Sequence, residues 1–195
     1  MEKFSQIKDK PIISDEELIF SGKQVDIINY KDNEILKIND MVAILPYFSD
    51  EATFLMRQEY IPAYQYKNKE NIKLRKITNY LSPLTGDIEN DESIEQTIRR
   101  ILFKENGILL RDIYDFDITG PFFINKYNTS QTYICFLDLP INTYRQTTPN
   151  MGKELNDNLS KPIRVSIGDI NNIVQNDLLS NILINKLINR IAYNA

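Results

Sequence analysis

A chain of 195 residues, 42% hydrophobic and 26% charged, is long enough for one domain with a full core, or one domain plus a small appendage, and too evenly composed for a disordered or fibrous protein. With 23 Lys and Arg against 27 Asp and Glu, a formal net charge of -4 and no clustered basic stripe, it lacks the electrostatic footprint of a nucleic-acid binder. It has no histidine, which removes Ser-His-Asp and Cys-His nucleophile pairs, an imidazole base and any His-containing zinc site, so acid-base work falls to Asp, Glu, Lys or Tyr.

The first residues, MEKFSQIKDK, carry charge throughout and no apolar run follows, so a secretory signal is not expected. No stretch approaches the roughly 18 apolar residues of a membrane span, and the expectation is a cytoplasmic protein without a membrane partner. Residues Glu17 to Ile38 read as two or three short strands punctuated by Gly22 and by Lys31, Asp32 and Asn33, an N-terminal β arm within residues 1–40. The remainder, 41–195, reads as the main domain. It begins with two apolar strands, Met41 to Tyr47 and Thr53 to Arg57, around a hairpin turn at Phe48 to Glu51.

From Ala63 to Lys76 the chain turns polar and basic, with Lys67, Lys69, Lys73, Arg75 and Lys76, and reads as a long loop. It is either a phosphate-contacting cover or a solvated connection. Ser93 to Asn106 is the clearest helix: Ser93 and Gln96 have capping-box spacing, Ile94, Ile98, Ile101 and Leu102 recur at helical intervals, and Gly107 stands where a C-terminal glycine belongs. Strands are expected at Ile113 to Ile118, Thr132 to Leu139 and Pro162 to Ile167, with a polar excursion from Asn142 to Ser160. Amphipathic helices are expected at Asp169 to Val174 and Leu178 to Tyr193. The one cysteine, Cys135, lies in an apolar strand and reads as a core thiol. The order of elements is that of an α+β fold, without the βαβ alternation of a doubly wound sheet.

Gly86 to Ile108, GDIENDESIEQTIRRILFKENGI, resembles the Nudix box G-x5-E-x7-R-E-U-x-E-E-x-G-U, where U is aliphatic, with Gly86, Glu92, Arg100, Leu102, Glu105, Gly107 and Ile108 in register. Upstream, VAILPYFSDEATFLMRQEYIPA is similar to the strand, hairpin and Arg-Gln segment that precedes the box in ADP-ribose and other ADP-sugar pyrophosphatases. The resemblance implies a Nudix fold over 41–195, an α/β/α sandwich around a mixed sheet, with the arm of 1–40 forming a homodimer. It also implies a nucleoside-diphosphate small molecule as ligand, met by Arg57 and Gln58.

In that family three box glutamates on one helix face hold Mg²⁺ or Mn²⁺, which polarise a diphosphate and activate water. Positions 101, 104 and 105, spaced i, i+3 and i+4, share that face. Here they are Ile101, Lys104 and Glu105. The acidic residue that usually opens the preceding Glu-Leu-Pro-Ala-Gly segment is also replaced, by Ser82. The motif framework of Gly86, Glu92, Arg100 and Gly107 is kept, with Glu92 and Arg100 expected to form an ion pair.

The expected function is therefore nucleotide-ligand binding or regulation with hydrolase activity lost or much reduced, Lys104 either pairing with a ligand phosphate, neutralising Glu105 or standing in solvent. The alternative is a divergent hydrolase releasing AMP from an ADP-ribose-like substrate, with one Mg²⁺ or Mn²⁺ held by Glu105, by Glu154 or Asp157 as the loop acid, and by nearby acids such as Glu89, Asp91 or Glu95. No metal is needed if the chain is inactive. Tyr60, Tyr64 and Tyr66 would stack on an adenine or pack in a dimer interface.

Overall fold

The computed structural model describes residues 16–21, 25–31, 33–59, 80–110, 116–123, 126, 128–140, 142, 161–172 and 178–194. The N-terminal arm is an antiparallel meander of β1 (Glu16–Ser21), β2 (Asp26–Tyr30) and β3 (Asn33–Lys37), a sheet of its own. The tight turn from β2 to β3 places Lys31 at a left-handed φ of 48°, and the Asn33 side-chain amide donates to the Lys31 carbonyl at 2.9 Å. The arm is fastened to the rest of the chain through its backbone carbonyls. The Thr129 N–H donates to the Leu36 carbonyl at 2.9 Å, and the Ser130 hydroxyl to the Asn39 carbonyl at 2.7 Å.

The second sheet has seven strands: β4 (Met41–Phe48), β5 (Thr53–Glu59), β6 (Tyr80–Ser82), β7 (Leu84–Asp87), β8 (Asp117–Phe123), β9 (Gln131–Asp138) and β10 (Lys161–Ser166). Its spine runs β10-β5-β4-β9-β8, with β4 and β9 parallel and the other pairs antiparallel. The β4-β5 hairpin turns through a 3-10 segment at Ser49–Glu51, closed by Ala52 at φ 49°. Its strands pair only at Tyr47 with Phe54 and Phe48 with Thr53, and then splay. The gap is filled by one segment that changes partner: β7 pairs Leu84–Asp87 with β4, and β6 pairs Tyr80–Ser82 with β5. The switch falls at buried Pro83, which has no N–H to leave unpaired.

Alternation along these strands builds a core on each face of the sheet. Val42, Ile44, Leu55, Leu84, Cys135 and Leu137 face one way and pack against Ile98, Ile101 and Leu102 of helix α1 (Ile94–Asn106). Ala43, Leu45, Phe54, Met56, Ile134 and Phe136 face the other way, toward Leu183, Ile184 and Leu187 of helix α2 (Leu178–Asn194). Among the described residues the fold is thus α+β, a large mixed sheet with one helix on each face. Each fully buried Val, Leu, Ile, Phe or Met among them contributes on the order of 1.5–3 kcal/mol by leaving water.

Two expectations need correction, and two strands were not expected. Tyr80–Asp87 forms two short strands that the sequence pattern did not announce, because Pro83 interrupts it. Of the strand expected at Ile113 to Ile118, residues 113–115 lie outside the described residues, and the strand that is described runs Asp117–Phe123. Gly120 and Pro121 look like a turn, yet an edge strand tolerates Pro where the sheet register shifts, here between Thr119 and Phe122. Its start is held from α2, whose Lys186 donates to Asp117 at 3.1 Å and to the Thr119 hydroxyl at 2.6 Å. Of the helix expected at Asp169 to Val174, residues 169–172 belong to a 3-10 segment, Ile167–Asn172, and residues 173 and 174 lie outside the described residues. Among the described residues no helix is long and apolar enough to cross a membrane.

Candidate functional site

The segment from β7 into α1 is organised by hydrogen bonds that its sequence spells out. Ser93, at φ -80° and ψ 161°, accepts from the Gln96 N–H at 3.2 Å, while the Gln96 side chain accepts from the Ser93 N–H at 2.7 Å. Two N–H groups that a helix start leaves unpaired are satisfied this way. At the other end Gly107 adopts φ 67°. Its N–H reaches the Phe103 carbonyl at 3.1 Å and the Ile108 N–H reaches Leu102 at 3.0 Å, a glycine-closed helix end.

Between the caps sits a fork of charge. Arg100 donates from Nε to Glu92 Oε1 at 2.6 Å and from Nη2 to Oε2 at 2.7 Å, a bidentate pair of half-buried side chains. The same Nη2 donates to the Asp87 carbonyl at 2.7 Å, and Nη1 stands 3.3 Å from Glu89. Glu92 also accepts from the Thr97 hydroxyl at 2.7 Å and the Glu89 N–H at 3.3 Å. The Arg100 hydrogen bonds, outweighing the opposing effect of burial and aided by Thr97 and Glu89, lower the Glu92 pKa to about 2. One ion pair thereby ties the end of β7, the loop after it and α1 into a single unit. Thr97 and Glu89 are members of this network that the motif alone does not reveal.

The face that carries glutamates in the Nudix box is differently furnished. Ile101 is 1% exposed and belongs to the α1-side core with Val42, Leu84 and Leu102. Its Cδ1 lies 2.6 Å from where a Cβ on Gly86 would stand, so the glycine is what lets the helix approach β7. Ile101 thus continues the apolar stripe of α1 into the core. Lys104 is exposed one turn on. Glu105 follows it in α1, its side chain outside the described residues. An alkyl group in the core and an ammonium are not ligands for a hard divalent cation, which needs several oxygens. Positions 101 and 104 therefore do not fit Mg²⁺ or Mn²⁺. Among the described residues no group of three or more His, Cys, Asp or Glu is arranged to hold a metal ion.

Arg57 and Gln58 are not brought together. Arg57 pairs with Ser82 across β5 and β6, and neighbours along those strands, Leu55 and Leu84, place both on the α1 face. Gln58 pairs with Leu81, which packs toward α2, so it lies on the opposite face. Ser82 is 7% exposed and its hydroxyl has no hydrogen-bond partner. An open cleft of about 380 Å³, lined by Asn39, Ile88, Glu89 and Asn90, adjoins the Glu89–Arg100 pair and includes none of Arg57, Gln58 and Lys104. Glu154, Asp157, the basic loop Ala63 to Lys76 and Tyr60, Tyr64 and Tyr66 lie outside the described residues. No protein-family model matches this chain, and comparison with curated proteins finds no match.

Proposed function

We propose that this chain is a Nudix-fold relative of the ADP-ribose and nucleoside-diphosphate-sugar pyrophosphatases that has lost, or much reduced, hydrolysis and acts by binding a nucleotide-type ligand, as a regulatory or interaction protein. The observation that carries the reading is a division within one helix. Everything that shapes the motif is kept: the close approach at Gly86, the Glu92–Arg100 fork, the Ser93 cap and the Gly107 close. What would hold metal is replaced, by a core isoleucine at 101 and an exposed lysine at 104. The splayed β4-β5 hairpin, filled by β6 and β7, supports the same reading by setting Arg57 and Ser82 on the face that α1 covers. In this proposal the β1–β3 arm serves homodimer assembly, and the protein works in the cytoplasm.

The test pairs turnover with binding. ADP-ribose incubated with the protein and Mg²⁺ or Mn²⁺ should yield no AMP above a no-protein control, while calorimetry in a chelator should detect ADP-ribose binding. Metal-dependent AMP release at catalytic protein concentration, abolished by Glu105→Gln, would establish the divergent hydrolase in its place.

A further inference from the structure

Asp40 stands where the two sheets meet, in the linker between β3 and β4, and it extends both ladders that flank the start of β4. On one side its carbonyl accepts from the Ile88 N–H at 2.8 Å, next to the pairing of Met41 with Asp87. On the other its carboxylate Oδ1 accepts from the Gln131 N–H at 2.9 Å, next to the pairing of Met41 with Thr132. A charged acceptor makes the stronger hydrogen bond, so this carboxylate holds the linker to β9 more firmly than a neutral side chain would. The preceding residues are tied to the same place, the Asn39 carbonyl by the Ser130 hydroxyl and the Leu36 carbonyl by the Thr129 N–H. From Ile88 the constraint runs on into the motif. The Ile88 side chain packs against the α1-side core, the Asp87 carbonyl accepts from Arg100 at 2.7 Å, and the Glu89 N–H donates to Glu92 at 3.3 Å. On the solvent side the linker and the loop face each other across the open cleft lined by Asn39, Ile88, Glu89 and Asn90, so hydrogen bonds rather than close packing join them there. Such ends are where local opening is easiest.

From this arrangement we infer that Asp40 is a clasp through which the position of the β1–β3 arm governs the order of the motif loop, residues 88–92. A shift of the arm that pulls the Asp40 carboxylate from Gln131 also draws its carbonyl from Ile88. The loop that presents Glu89 and Glu92 to Arg100 then loosens with it. A partner that takes hold of the arm is thereby felt at the start of α1 without touching the motif. The inference concerns the coupling of arm to motif and holds whatever ligand the motif accepts.

Amide hydrogen exchange of the full chain, followed residue by residue by NMR, tests the clasp. In Asp40→Ala the Gln131 N–H loses its acceptor, and both it and the Ile88 N–H should exchange about five-fold faster or more, although the carbonyl that Ile88 uses is still present. Asp40→Asn, which keeps an oxygen without the charge, should fall between that variant and wild type. Ser130→Ala removes a hydroxyl that meets Asn39 rather than the loop; it should also quicken exchange at Ile88, and it carries the test if alanine at position 40 prevents folding. Amides in the paired strands β5 and β10 should keep their wild-type rates and report on the fold as a whole. Faster exchange at Gln131 with Ile88 unchanged overturns the clasp, since the two bonds are then independent. An equal rise in β5 and β10 overturns it as well, because the loss is then one of global stability. Unchanged exchange at Ile88 in a folded Ser130→Ala protein would separate the arm from the loop and has the same force.

Discussion

Replacing Glu92 by glutamine keeps the shape of the side chain and removes its charge, which isolates the ionic part of the fork to Arg100. The Glu92 pKa falls from 4.5 to about 2 in the folded protein, a shift worth roughly 3 kcal/mol at about 1.4 kcal/mol per unit. Both side chains are largely shielded, 18% and 20% exposed, so screening removes only part of this, and about 2 kcal/mol is the working figure. Because the folded-state pKa lies below the unfolded one, the contribution is complete above the unfolded value of 4.5 and is lost as pH falls through about 2. Urea unfolding at neutral pH should therefore show Glu92→Gln less stable by about 2 kcal/mol, with the gap to wild type closing between pH 5 and pH 2. A difference below about 0.5 kcal/mol at neutral pH, or one that does not change with pH, would refute the claim that this pair anchors the loop to the helix.

Gly86→Ala should cost about 1–3 kcal/mol by forcing a methyl against Ile101, and the cost should shrink when Ile101→Ala is added; additive losses in denaturant unfolding would contradict the contact. Ile101→Ala alone should cost about 2–4 kcal/mol as a core truncation, measured the same way. Ser93→Ala removes the helix cap and should cost about 1 kcal/mol in the same assay, against no change if the capping box is idle. Burial pushes the Cys135 thiol pKa up, so a thiol reagent should label it slowly in the native protein and at an ordinary rate in denaturant; rapid native labelling would count against a closed core.

What could be read in advance depended on whether the signal was local. The cap at Ser93, the close at Gly107 and the apolar stripe of α1 follow from spacing within one helix, and each is where the sequence puts it. The strands β4 and β9 were equally plain, because both are buried on two faces and read as continuous apolar runs. The β6-β7 segment was not legible, since its strands exist only because β4 and β5 diverge, a non-local event, and Pro83 disguises them. The resemblance assigns Arg57 and Gln58 to one ligand, and strand pleating separates them. Ser82 appeared only as a departure from an acidic pattern; its unpartnered hydroxyl beside Arg57 needed the register.

The central claim, that the motif's frame survives while its metal chemistry does not, is tested most directly by following AMP release from ADP-ribose in the presence of Mn²⁺, with chelator-treated protein as control. No metal-dependent AMP above background is expected at substrate in large excess over protein. Sustained release that requires Mn²⁺ and disappears in Glu105→Gln would contradict it.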